Sequence, residues 1–199
     1  MEEEKFEPIQ SLQLIESMIN HAKNKLSDNG HLYLLWGWVV LVCSIGQFAA
    51  IKWQLVNRPE WIWSLTWLAF LYQTIYLARR KKKSRVNTYT DELLKAVWIV
   101  FVGCGLIMGV VVSKGGSWET MYPLILMLYG VPTILSGVIL RFKPLVAGGL
   151  ICWVLSIVAP FIPLLYNLLL VAVAVIAAWI IPGYLMQKRF VLENEMSIR

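Results

Sequence analysis

Long apolar runs separated by short polar breaks dominate the chain and set its class before any motif is read. Uncharged stretches recur at residues 32–51, 61–78, 96–113, 120–140, 145–162 and 164–187, and none of the six contains Asp, Glu, Lys, Arg or His. A hydrocarbon core about 30 Å thick takes about 20 helical residues to cross, so each run reads as a span. Continuous apolarity favours helices over barrel strands, which alternate apolar and polar positions along their length. Residues 144–187 carry no charge at all. That is too long for one helix, and Pro160 and Pro163 bracket the expected turn, because proline suits a helix start and disfavours helix in the residue before it. The pattern predicts an all-α, polytopic membrane protein built as a six-transmembrane-helix bundle.

Ahead of the first run the period changes. Leu12, Ile15, Ile19, Ala22 and Leu26 recur at three- and four-residue steps, which predicts a cytoplasmic amphipathic helix of about five turns. Pro8 suits its start, and Asp28, Asn29 and Gly30 suit its stop. Such a helix either lies in the inner membrane interface or presents Leu12, Ile15, Ile19 and Leu26 as a seam for a protein partner or a second copy of the chain. Residues 1–30 hold six acidic and three basic residues, so anionic lipid has little to attract there. The expected organisation is an acidic start and amphipathic helix at 1–30, a transmembrane domain at 31–188 and a cytoplasmic tail at 189–199.

Composition agrees with the pattern, and charge adds an orientation. Of 199 residues, 58% are hydrophobic and 15% charged, against about 45–50% and 25% in soluble domains. With six spans, fifteen of the eighteen basic residues fall on the side of both termini, and only Lys52, Arg58 and Lys114 on the other. The positive-inside rule then puts both termini in the cytoplasm. The densest cluster, RRKKKSR at 79–85, supplies Arg79, Arg80, Lys81, Lys82, Lys83 and Arg85 as an orientation signal and as candidate contacts to anionic lipid headgroups. Phosphorylation of Ser84 would weaken that pull. Trp53, Trp61, Trp63 and Trp118 at the outer ends, with Trp36 and Trp38 at the inner, form the expected interfacial belt. Thr88, three residues before Asp91, resembles a capping box for the third helix. No aromatic-and-basic recognition motif accompanies the cluster, so no nucleic-acid partner is expected.

The spans offer little chemistry. Cys43, Cys104 and Cys152 fall in three different helices, where a thiol behaves as a small apolar group, and their spacing matches no ligand pattern. No disulfide and no metal site are expected. Ser136–Gly137 has no histidine or lysine base in the membrane, and neither a metalloprotease motif nor a P-loop is present, so the chain reads as non-enzymatic and without cofactor. Charge-moving transport also lacks its usual intramembrane groups. Ser44, Gln47, Thr66, Gln73, Thr74, Thr133, Ser136, Ser156 and Asn167 remain as helix-to-helix hydrogen-bonding groups, with Gln47 and Asn167 able to line an outward pocket. Gly105 and Gly109, with Gly103 nearby, form a GxxxG pair. Gly130 and Gly137, with Pro132 between them, and Gly148–Gly149 are further candidate packing positions, with a kink expected in the fourth helix.

The stretches GHLYLLWGW and YGVPTILSGVILRFKPLVAGG resemble those of small uncharacterised six-helix inner-membrane proteins of Bacteroidota. The resemblance implies a multi-pass protein of the bacterial inner membrane and carries no activity or site with it. The overall plan is also similar to the substrate-binding subunit of energy-coupling-factor transporters and to the permease of ATP-binding-cassette exporters, by fold analogy alone. The expected function is that of a membrane sensor, regulator or assembly factor acting through protein partners, the alternative being the membrane subunit of a transporter that works with a separate ATPase.

Overall fold

The computed structural model describes residues 8–81 and 89–198, with side chains at 30–79, 90, 92–117, 119–189 and 191–192. Every regular element among them is helical: α1 (Pro8–Lys52), a 3-10 segment (Pro59–Ser64), α2 (Leu65–Lys81), α3 (Tyr89–Ser113), α4 (Trp118–Ile139), α5 (Lys143–Val158), a 3-10 turn (Ala159–Phe161), α6 (Leu164–Val175), a π turn (Ile176–Ile180) and α7 (Ile181–Ile198). Among the described residues, five segments are long and apolar enough to cross a membrane: Gly30–Lys52, Glu92–Ser113, Glu119–Ile139, Lys143–Phe161 and Leu164–Arg189.

One expectation is corrected here, and a second is met only in part. The N-terminal helix does not stop at Asp28–Gly30; α1 runs unbroken for 45 residues into the first span. Asp and Asn cost a helix less than about 1 kcal/mol and glycine about 1, too little to end a long helix. Gly30 serves close approach instead, since a Cβ there would lie 3.1 Å from the Gly183 carbonyl of α7. The second run, expected as a span from residue 61, is divided. Its first turn is the proline-led 3-10 segment, which leaves α2 with 17 residues, short of the span length above. The Thr88 cap lies outside the described residues.

Three helix ends close in the same way. After α1, α3 and α4, the amide two residues past the cap returns to the carbonyl five residues earlier: Leu55 to Ala50 at 3.1 Å, Gly116 to Val111 at 3.2 Å and Phe142 to Gly137 at 2.8 Å. This Schellman closure places the intervening residue in the left-handed region. Gly115 adopts it with φ 119°, whereas Gln54 and Arg141 do so with φ 51° despite their side chains. The Arg141 turn, followed by buried Phe142 and by Pro144 in the first turn of α5, folds α4 and α5 into a tight antiparallel hairpin.

The α6–π–α7 unit packs against α1, α4 and α5, and α4 packs against α5, while α3 rests on α4 and α2 on α1. The α4–α5 contact is backbone to backbone: a Cβ at Gly130 would sit 2.9 Å from the Gly149 carbonyl, and one at Gly149 would sit 2.9 Å from the Gly130 carbonyl. Small residues supply such close approach in lipid, where no hydrophobic effect presses helices together. Two bonds cross the same seam, from Trp153 Nε1 to the Met127 carbonyl at 3.2 Å and from Ser156 Oγ to the Pro123 carbonyl at 2.7 Å.

Candidate functional site

The π turn marks the centre of the bundle, and Pro182 explains it. Proline has no amide to donate to Ala178, and its ring clashes with that carbonyl in a regular helix. The chain widens instead, and the Ile181 amide bonds Ile176 five residues back. The widened turn presses on α5, where a Cβ at Gly148 would lie 2.5 Å from the Ala177 carbonyl and 2.6 Å from Ala178 Cα. It also carries Trp179 inward, 2% exposed.

Trp179 joins an aromatic cluster drawn from four helices. Its ring lies 4.8 Å from Tyr129 and 6.4 Å from Trp98, and Trp98 meets Phe101 at 5.4 Å and Tyr33 at 5.8 Å. Trp179 Nε1 donates to Thr133 Oγ1 at 3.0 Å, and Thr133 in turn donates to the Tyr129 carbonyl at 2.7 Å. The Tyr33 hydroxyl lies beside Ser136 and Trp98. It is buried without a geometrically sound hydrogen bond, as are Ser44 Oγ, Ser136 Oγ and Asn167 Oδ1, among the described residues. Each such group costs about 1–3 kcal/mol.

The 3-10 segment and α2 are both tied to α1. Trp36 Nε1 donates to Gln73 Oε1, and in the reverse direction Trp63 Nε1 donates to Gln47 Oε1 at 2.6 Å. His31 Nε2 lies 3.2 Å from the Tyr72 hydroxyl, and Cys43 Sγ lies 3.4 Å from the Ile62 carbonyl. The segment 62–76 therefore runs antiparallel beside 31–47. Gln47 thus holds Trp63, and Thr66 and Thr74 bond the carbonyls of Trp63 and Phe70 on their own chain segment.

At the His31 end, α1, α2 and α7 leave a groove of about 330 Å³. Its floor is the α1 stripe Leu34, Leu35, Trp38 and Val39, and its walls carry Tyr72 and Tyr184. The His31 ring lies 5.4 Å from Tyr76, and the Tyr72 and Tyr76 rings stack at 6.1 Å.

The expected site residues are divided among these places. Gly130 and Gly137 lie in the α4–α5 seam, where a Cβ on Gly137 would come 2.8 Å from the Val146 amide nitrogen. Gly103, Gly105 and Gly109 have nothing within 4 Å of such a Cβ. Arg79, Arg80 and Lys81 end α2; Lys82, Lys83 and Arg85, and the side chains of Arg80 and Lys81, lie outside the described residues. Leu12, Ile15, Ile19 and Leu26 sit on the helical backbone of α1, their side chains likewise outside. Sequence reasoning missed Trp179 and its π turn, whose signal was the Pro182–Gly183 pair inside an apolar run. It also missed the Trp36–Gln73 and Trp63–Gln47 bonds, which only tertiary pairing reveals. Cys43, Cys104 and Cys152 are free thiols, and among the described residues no cluster of His, Cys, Asp or Glu is placed to hold a metal.

Fold and interior together define a helical membrane protein with a packed aromatic centre and five helices able to span. The chain matches no known family model, no curated protein and no solved structure.

Proposed function

We propose that this chain is a non-enzymatic, multi-pass protein of the bacterial inner membrane, with six crossings and both termini cytoplasmic, that acts through protein partners as a sensor, regulator or assembly factor. The observation that carries this reading is the continuity of α1. Beyond the apolar segment that begins at Gly30, the helix continues back to Pro8. Those 22 residues, at 1.5 Å each, form a rod of about 33 Å joined without a break to the first span. The stripe of Leu12, Ile15, Ile19 and Leu26 gives the rod a face for a partner helix or for a second copy of the chain. α7 leaves the bundle at the same end, and there Val191 and Leu192 are about half exposed beyond Lys188 and Arg189.

Two contacts support the sixth crossing. Gly30 packs on Gly183 and Met186, so the start of the first span and the end of the last lie together. Only an even number of crossings brings those two ends to one face. The 3-10 segment and α2 together, bonded to α1 from Trp63 to Tyr72, match it in depth. With the 3-10 segment at about 2 Å per residue, Pro59–Lys81 reaches about 37 Å, more than the hydrocarbon core requires. The basic excess at residues 79–85 then marks the cytoplasmic face.

The test has two parts. With the three native cysteines removed, single cysteines at Asn57 and Lys114 should react with an impermeant thiol reagent in intact cells, and one at Asn87 should not; the reverse pattern would refute the orientation. Ser117 is avoided because its hydroxyl caps α4 by accepting from the Glu119 amide at 3.1 Å. In purified native complexes, Ile15→Asp with Ile19→Asp should release the partner while membrane insertion is kept. Unchanged complexes would leave the rod without a docking role, and a co-purifying ATPase would favour a transporter subunit.

A further inference from the structure

The groove between α1, α2 and α7 has two chemically distinct ends. Along its floor, Leu34, Leu35, Trp38 and Val39 belong to one helical stripe about 12 Å from end to end with His31. Trp38, Tyr72 and Tyr184 are each about half exposed, so the groove opens sideways toward the apolar surroundings of the helices. At the other end the stripe finishes at His31, whose ring nitrogen meets the Tyr72 hydroxyl. From there the helices carry charge outward. Arg79 lies two turns beyond Tyr72 on the same face of α2, and Lys188 lies one turn beyond Tyr184 on α7. Both are exposed, and among the described residues neither is paired with a carboxylate.

We propose that this groove binds an anionic phospholipid, one acyl chain lying on the α1 stripe and the phosphate held by Arg79 and Lys188 above the His31–Tyr72 pair. Charge complementarity commits the site to that class of lipid. An apolar slot alone would take any acyl chain, but two cations on different helices, two turns beyond Tyr72 and one beyond Tyr184, select a negative headgroup, as basic pockets between spanning helices do. A volume of about 330 Å³ is at the small end of ligand pockets, suited to part of one chain and not to a whole lipid. The proposal is independent of which face of the membrane is cytoplasmic, because anionic lipid is recognised by the basic end wherever it lies.

The experiment is native mass spectrometry of the full chain in detergent, titrated with phosphatidylglycerol, with phosphatidylcholine of the same acyl chains, and with inorganic phosphate. Two basic contacts should favour phosphatidylglycerol by roughly 30-fold over phosphatidylcholine. The double variant Arg79→Ala, Lys188→Ala should bring the two lipids level, while Arg58→Ala with Lys114→Ala, on the loops at the opposite ends of the helices, should keep the preference. Val39→Trp should lower retention of both lipids by filling the slot. Equal retention of the two lipids by the unaltered chain would overturn the proposal without recourse to any variant. So would a preference that survives the Arg79, Lys188 double variant, or displacement of the lipid by inorganic phosphate at equal concentration, which would mark a phosphate site.

Discussion

Two glycine faces that look alike in sequence differ in space. Gly130, Gly137, Gly148 and Gly149 are closed: each meets a carbonyl, an amide or a side chain of a neighbouring helix closer than a Cβ tolerates. Gly103, Gly105 and Gly109 are open, with α3 standing on α4 through Trp98 and Phe101 and presenting Leu106, Ile107 and Val110 outward. What separates them is the partner helix. α5 brings its own glycines into register with those of α4, whereas the α3 glycines meet no reciprocal small residue among the described residues. Small residues on one helix therefore specify a capacity for close approach, and reciprocal glycines on the facing helix decide whether the capacity is used.

That contrast can be broken most directly at Gly149. Gly149→Leu has to separate α4 from α5, and we expect a loss of about 3 kcal/mol in the unfolding free energy measured by steric trapping in detergent. A loss under about 0.5 kcal/mol would mean that the seam is far looser than described. Next comes Thr133, one turn along α4 from Gly130, where Thr133→Val removes the acceptor of Trp179 and should cost about 1–3 kcal/mol. Retention of wild-type stability would deny the Trp179–Thr133 bond any structural weight.

The turns sharpen the comparison at smaller scale. Arg141→Gly relieves a left-handed residue at the α4–α5 turn and should raise stability by up to about 1 kcal/mol, while Gly115→Ala at the matching position after α3 should lower it by a similar amount. A loss on Arg141→Gly would show that the arginine side chain, rather than the backbone, holds the hairpin. Smallest of all, Gly105→Leu and Gly109→Leu should change monomer stability by no more than about 0.5 kcal/mol. A penalty approaching that of Gly149→Leu would show that a second copy or another protein covers the α3 face.

Much of the fold was legible because lipid imposes strict arithmetic. Apolar run lengths located the five candidate spans to within a few residues, and Pro163 correctly preceded the start of α6. The errors arose where local signals were outweighed. Gly30 reads as a terminator in isolation, yet its role is to admit α7. Trp61, Trp63, Thr66 and Gln73 read as a continuous helix but begin in a 3-10 segment led by Pro59. The aromatic centre was not legible at all, because Tyr33, Trp98, Tyr129 and Trp179 are scattered over almost 150 positions and no local period joins them. The groove was half legible: its cations stood out as charge, but its apolar floor was indistinguishable from any other lipid-facing stripe.

The two tryptophan–glutamine bonds between α1 and the Pro59–Lys81 segment have a mechanical consequence. They point in opposite directions and lie eleven residues apart on α1, at Trp36 and Gln47. A slide of that segment by one turn, about 5.4 Å, would break both at once, and a rotation about its axis would carry Gln73 and Trp63 out of reach of their partners on α1. The pair acts as a keyed joint, fixing both the height and the angle of a helix that is short of apolar length, so that the first two helices can seat as a registered hairpin before the rest of the bundle gathers around them.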